Sequence, residues 1–353
     1  MAITGMSSWF SDTPPFCIDW GGTVLNVAVE LNGCYPIRTT IRRLREPVVR
    51  CVAGAGNPAT EFRSCDDLLR SPLPGSPLSV PMAALQMTGL LHRDGRLADI
   101  LERMGGGIEI TSSVDLPMGS GLGTSSILAA TVLRALSEMT GVTPDDYALS
   151  GQVMRLDQLM TTGGGWQDQA GGIFPGAKLV VTGPGLHQHL RVHPLKWTGE
   201  RQAEFEDLLL LYYTGIDRIA RGLLRQVVGR YLARETACVQ VLHSIKTLAM
   251  EMAYALEEGE WDHLGYLLDR HWALNQVLDP NTTNTPINAL LEAVRPYIRG
   301  AKLAGAGGGG FFLLLARSPD AARDLRRFLS EEYSSTPSSV YHCRVATSGL
   351  RTS

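Results

Sequence analysis

Apolar positions from Ile127 onward fall at Leu128, Thr131/Val132, Ala135/Leu136 and Met139. That spacing predicts one amphipathic helix, stopped by Gly141. A second helical pattern runs over about 145–160. Upstream, "GGGIEITSSVDLP" alternates isoleucine with polar residues and predicts a strand, and "MAALQMTGLL" predicts a helix. "CIDWGGTVLNVAVE" mixes apolar and small residues about a glycine pair, which predicts strands and a turn. Downstream, "KLVVTG" and "LLLLYYTG" predict buried strands. Helices are predicted at about 217–234, 236–258, 260–276 and 286–299. "GAKLAGAGGGGFFLLLA" predicts a strand, a glycine loop and a strand, "DAARDLRRFLSEEY" a last helix, and "VYHCRVAT" a last strand. Strands and helices are interleaved throughout, with no internal repeat, so the fold class is α/β or α+β. A loop-rich stretch at 183–200 divides the chain into domains 1–195 and 196–353.

Composition narrows the function classes. The 353 residues suffice for two packed domains, and a net charge of −3 provides no overall field for nucleic acid. Of the 32 basic residues only four are lysine, a bias that a GC-rich genome explains. The six cysteines are scattered with no C-x-x-C, as expected of reduced thiols in a cytoplasmic protein. No apolar run spans a bilayer and no leader pattern opens the chain, so no membrane partner is expected.

Three glycine-rich stretches carry the candidate chemistry. In "DLPMGSGLGTSS", Gly119, Gly121 and Gly123 precede a Thr-Ser-Ser triplet at a helix start. Glycine lets backbone N–H groups approach an anion, and a helix N-terminus aims further N–H groups at the same place. No lysine occupies the position a P-loop needs. A tight turn with a Ser/Thr cap is the alternative reading. In "RLDQLMTTGGGWQDQAGG", Asp157 lies near a helix end and Asp168 stands in a glycine-rich turn. Such carboxylates suit a general base or a metal ligand, or are plain turn and cap residues. The third stretch, "AGAGGGG", sits between buried-type strands, where close backbone approach to a ligand or another loop is expected.

Together these motifs resemble the GHMP kinase superfamily over nearly the whole chain. Pro117 to Ser125 matches the family's P-x-x-x-G-L-G-S-S, and "KLAGAGGGGFF" its C-terminal glycine loop. "TTGGGWQDQ", "LLYYTGIDRIARGLL" and "LAGAGGGGF" resemble the branch of L-fucose kinases and D-glycero-D-manno-heptose 7-phosphate kinases. The resemblance implies an α+β two-domain fold: an N-terminal domain like the second domain of ribosomal protein S5, and a ferredoxin-like C-terminal domain. It implies an ATP- and Mg²⁺-dependent kinase that phosphorylates the anomeric hydroxyl of a fucose-, heptose- or octose-type sugar, free or already phosphorylated. The arginine-rich composition leaves room for an antibiotic-pathway octose of the lincosamide kind. No segment here looks like a nucleotidyltransferase, so activation of a sugar 1-phosphate is expected to need a separate enzyme. Homodimerisation is compatible with the family.

Residue by residue, the resemblance gives Asp168 the catalytic role. Pro117, Gly119, Ser120, Gly121, Leu122, Gly123, Thr124, Ser125 and Ser126 would bind ATP. Ser125 and Asp157 would hold Mg²⁺, and Asp12, Gly164, Gly165, Tyr213, Arg218, Gly307 and Gly308 would meet the sugar. The family's first motif, R-I-D-F-A-G-G-W-T-D-T-P-P, is altered to Ile3-T-G-M-S-S-W-F-S-Asp12-T-P-P. Three explanations stand for the missing arginine: another cation such as Arg218 or Arg221, an altered acceptor, or a fold that binds sugar or nucleotide without transfer. Trp166 and Trp272 read either as stacking platforms for a sugar or nucleoside or, first, as core or interface aromatics. His271 and Asn275, one helical turn apart, read either as cleft-facing or, first, as a solvated or core face. His187, His189 and His193 lack the second half of a zinc site.

Overall fold

The computed structural model describes residues 2–7, 10–54, 56–70, 76–89, 95–117, 119–160, 163–216 and 220–352. They form two compact units, each assembled from separate stretches of chain.

The first unit comprises Met1–Cys34, Pro117–Gly123 and Gly165–Gly349 and contains two sheets. The first sheet is built on Thr23–Leu31, whose β-branched and apolar residues are buried along almost its whole length. Ala2–Ser7 pairs with one edge of that strand. Ala177–Val181 and then Arg191–Pro194 extend the other side, and Cys343–Val345 pairs with its C-terminal end. The helix Thr236–Glu258 packs on this strand. The second sheet has the order Ile298–Leu303, Phe311–Ala316, Leu209–Tyr213, Ser339–Tyr341, antiparallel throughout. Counted along the chain that order is 2-3-1-4, the split β-α-β arrangement of ferredoxin-like domains. Its two central strands are fully buried, and Trp272, Ile287, Leu290, Val294, Leu325 and Leu329 join them in one apolar cluster.

The second unit comprises Tyr35–Leu116, Thr124–Gly164 and Leu350–Ser353. Its sheet has the order Ile37–Leu44, Gly107–Val114, Val49–Ala53, Thr60–Phe62, and only the middle pair is parallel. The helix Thr124–Thr140 packs on Ile37–Leu44, and the helix Asp146–Leu159 packs on that helix. Ser126, Ile127, Ala129, Ala130, Val132, Leu133 and Leu136 form the buried stripe, while Leu128, Ala135 and Met139 are half-exposed. The stripe is turned relative to the one expected: Ala129 and Ala130 face inward, where Leu128 and Ala135 were expected.

Several elements differ from expectation. Phe16–Trp20 is a helix rather than a strand; Gly21, at φ 68°, turns the chain, and the strand begins at Thr23. Gln167–Ile173 is a helix despite Gly171 and Gly172, so Asp168 lies in a first helical turn and not in an irregular loop. Arg191–Pro194 is an edge strand and Gly199–Leu208 a helix within and beyond the stretch read as loop. The helix expected to reach 299 ends at Val294, and a strand starts at Ile298. The last strand is two: Ser339–Tyr341 joins the second sheet and Cys343–Val345 the first.

Candidate active site

The first glycine loop is an irregular turn with a repeated backbone sign. Gly119, Gly121 and Gly123 have φ of 71°, 78° and 69°, a region L side chains rarely adopt. Left-handed residues at alternate positions gather backbone N–H groups into a concave nest for anions. Leu122 and Ser120 are buried beneath the loop, while Gly119 is exposed. The chain then enters the helix Thr124–Thr140, which has no acidic residue in its first turn to oppose an anion. Ser125 is exposed there and Ser126 buried.

The third glycine loop supports the first. A Cβ on Gly310 would lie 2.7 Å from Ser120 O and 2.9 Å from Gly119 O, with φ at 86°. The next residue, Phe311, donates its N–H to Ser120 O at 3.2 Å. This loop is held in turn by the segment after the helix Trp261–Leu278. Gly308 N–H donates to Thr282 O at 2.5 Å, and Asn284 Nδ2 donates to Gly308 O at 3.3 Å. Gly307, given a Cβ, would press on Thr282 O. Gly307 and Gly308 therefore pack against the protein's own backbone.

Asp168 is half-buried in the first turn of Gln167–Ile173. The residue before it is held on both sides. Gln167 N–H donates to Asp12 Oδ2 at 2.9 Å, and Asn26 Nδ2 donates to Gln167 O at 2.9 Å. Asp12 is 1% exposed, and a Cβ on Gly165 would overlap its carboxylate. Burial pushes the Asp12 carboxyl up to about 6, against hydrogen bonds from Gln167 N–H and Thr13 that pull it down. Gly164, by contrast, is exposed with open space around it. Trp166 and Trp272 are core residues, and His271 and Asn275 are buried, on the core side of the alternatives open for them rather than on a solvated face. Tyr213 is nearly buried at a strand end, its ring 5.4 Å from that of Phe311.

Asp157, near the end of Asp146–Leu159, is buried and accepts a hydrogen bond from Ser126 Oγ at 2.8 Å. Burial pushes its carboxyl up to about 6, and the Ser126 hydroxyl pulls it down. Ser126, the neighbour of the expected Ser125, thus donates its hydroxyl to this carboxylate. Arg218 lies outside the described residues, as do Ser8 of the altered first motif and the side chains of Ile3, Gly5, Ser7 and Arg221.

Among the buried polar residues that escaped the sequence reading are two that face each other. Asn26 and Lys178 are opposite one another across antiparallel strands, and both are 0% exposed. The signal was present, since each interrupts an apolar run, "VLNVAV" and "AKLVV".

Comparison with known proteins follows the same lines. Residues 93–176 match the profile described as GHMP kinases N terminal domain, and 252–335 match GHMP kinases C terminal. A Bacteroides fragilis L-fucokinase/L-fucose-1-P guanylyltransferase is 36% identical over 92% of this chain. The chain belongs to the GHMP kinase superfamily. An Arabidopsis thaliana bifunctional fucokinase/GDP-fucose pyrophosphorylase is 37% identical over 91% of the chain. This GHMP chain spans about a third of the length of these relatives, 35% and 30% respectively. Its fold is that of the Lactococcus lactis galactokinase solved with galactose, with a TM-score of 0.74 at 15% identity, covering 99% of this chain and 93% of that one. The GHMP kinase two-domain α+β fold expected from the motifs is therefore the fold observed.

Proposed function

We propose that this chain is an ATP-dependent sugar kinase that transfers the γ-phosphate to the anomeric hydroxyl of a fucose-like sugar. The observation that carries the reading is the identity of 36 and 37% to two fucokinase-bearing proteins over nine-tenths of this chain. Phosphoryl transfer needs neutralised phosphate charge, in-line placement and a group to orient or deprotonate the acceptor. The glycines 119, 121 and 123, with the N–H groups that follow from Thr124 to Ser126, suit the β- and γ-phosphates. Asp168 is the group for the acceptor hydroxyl, as general base or as orienting acceptor. Gly164, Tyr213, Gly307, Gly308 and Arg218 complete the set proposed around the acceptor.

Asp157 and the hydroxyls of Ser125 and Ser126 are hard oxygen donors, which suits magnesium shared with phosphate oxygens and water. The fit has a physical basis: a carboxylate this buried is disfavoured as an anion until a cation comes near it. When bound, the ion supplies neutralisation of phosphate charge. Retention of Asp168, Ser125 and all three glycine-rich stretches weighs against a fold that binds without transfer. We further propose a cytoplasmic homodimer with a domain boundary near 195, between the two family matches. No helix among the described residues is long and apolar enough to cross a membrane.

The test is incubation with ATP, Mg²⁺ and a panel of L-fucose, heptose 7-phosphate and octose sugars, followed by ³¹P NMR. An anomeric phosphate doublet on one sugar is the expected result. ATP binding without turnover on any member would sink the transfer reading.

A further inference from the structure

We propose that Asn26 and Asp12 are positioning residues that set Asp168, acting through the backbone of Gln167. The inference rests on Asp168 being the acceptor-side group of the proposed kinase. Gln167 N–H is held by Asp12 and its carbonyl by Asn26, each at 2.9 Å, from positions 155 and 141 residues away. That carbonyl belongs to the peptide joined to Asp168 N, so Asn26 fixes the plane from which the Asp168 side chain departs. All three are buried: Asp12 1% exposed, Asn26 0% and Gln167 6%.

The helix needs such anchors. It has seven residues, two of them glycine, and a helix that short has little stability of its own. Asn26 stands in an otherwise apolar strand, and its Oδ1 has no hydrogen-bond partner. A buried amide is costly there unless its one bond matters. Asp12 is committed in the same way, because Oδ2 is engaged by Gln167 N–H and Gly165 lies against the carboxylate. Its family counterpart contacts sugar; here the carboxylate faces backbone. A shift of about 1 Å in a reacting group costs on the order of 100-fold in rate. Loss of one anchor is therefore expected to lower kcat by roughly 10- to 100-fold.

The experiment combines kinetics with hydrogen exchange. Asn26→Ala should lower kcat by that factor while KM for ATP and for the sugar stays within about threefold. In the absence of substrate, amides in the 165–174 stretch should exchange at least tenfold faster (on the order of a lost local anchor), with the strand Phe311–Ala316 unaffected. Asn26→Leu keeps the approximate size and removes the donor, and serves if Asn26→Ala does not fold. Asp12→Asn still offers a carbonyl to Gln167 N–H, so it should retain more kcat than Asp12→Ala. Wild-type kcat and exchange in both Asn26 variants would overturn the proposal. So would a tenfold rise in sugar KM with kcat kept in Asp12→Asn, which would make Asp12 a direct sugar ligand. If wild type phosphorylates no sugar, the kinase reading fails, while the exchange measurement still decides whether the anchors hold.

Discussion

Lys178 allows a prediction whose size follows from its surroundings. It is 0% exposed, its Nζ donates to Gly176 O at 3.1 Å, and no ion pair among the described residues includes it. Burial pulls its ammonium from 10.5 down to about 7. A lowered folded-state value means that the stabilising contribution is complete above 10.5 and is lost as pH falls through about 7. From pH 7 to 9 the excess of protons on the unfolded chain therefore rises from about one half to nearly one. One proton corresponds to about 1.4 kcal/mol per pH unit, so wild type should gain roughly 2 kcal/mol across that interval from this residue. Lys178→Met removes the titration and keeps the apolar stem. Urea unfolding of both proteins at pH 7, 8 and 9, followed by tryptophan fluorescence, measures the difference. The variant should be the more stable at pH 7, and its advantage should shrink by about 2 kcal/mol by pH 9. Other titrating groups, including the buried thiols, cancel between the two proteins. A constant offset across the three pH values would refute the argument.

Other changes test the remaining parts. Asp168→Asn should reduce turnover by at least about 100-fold while ATP still binds by calorimetry, since only the acceptor-side group is lost. Gly310→Ala should weaken ATP binding, because a Cβ at φ 86° strains the backbone and presses on Ser120 O; calorimetric affinity checks it. Ser126→Ala removes the hydroxyl that lowers Asp157, so the acid limb of the pH–rate profile should move to higher pH.

The loops were legible because their requirements are local. Gly119, Gly121 and Gly123 each need a backbone region open to glycine, and such a need is written at the residue itself. The helix from Thr124 and the strand from Leu209 were legible through their apolar runs. The strand Ile37–Leu44 was not, because its solvent side carries Arg38, Thr40 and Arg42, Arg43 on the other side is exposed as well, and half a polar strand resembles a loop. Gln167–Ile173 was hidden by its glycines, whose weak propensity is overridden by tertiary contacts. The partners of Gln167 were out of reach for a different reason. Nothing in the stretch around Asp12 or Asn26 specifies contact with a residue some 150 positions later. Even the resemblance that located Asp12 implied a different partner for it.

The two closing strands, Ser339–Tyr341 and Cys343–Val345, have a consequence for how the protein is made. They are separated only by His342, yet each completes a different sheet, one against Leu209–Tyr213 and the other against Thr23–Leu31. During translation Thr23–Leu31 waits for a partner that is made more than three hundred residues later. The Ile37–Leu44 sheet has all its strands once Val114 is made, and its packing helices once Leu159 is made. Biogenesis should accordingly run out of chain order: the sheet of the second unit and its packing helices mature first, and the unit carrying Asp168 is sealed only after synthesis has passed Val345.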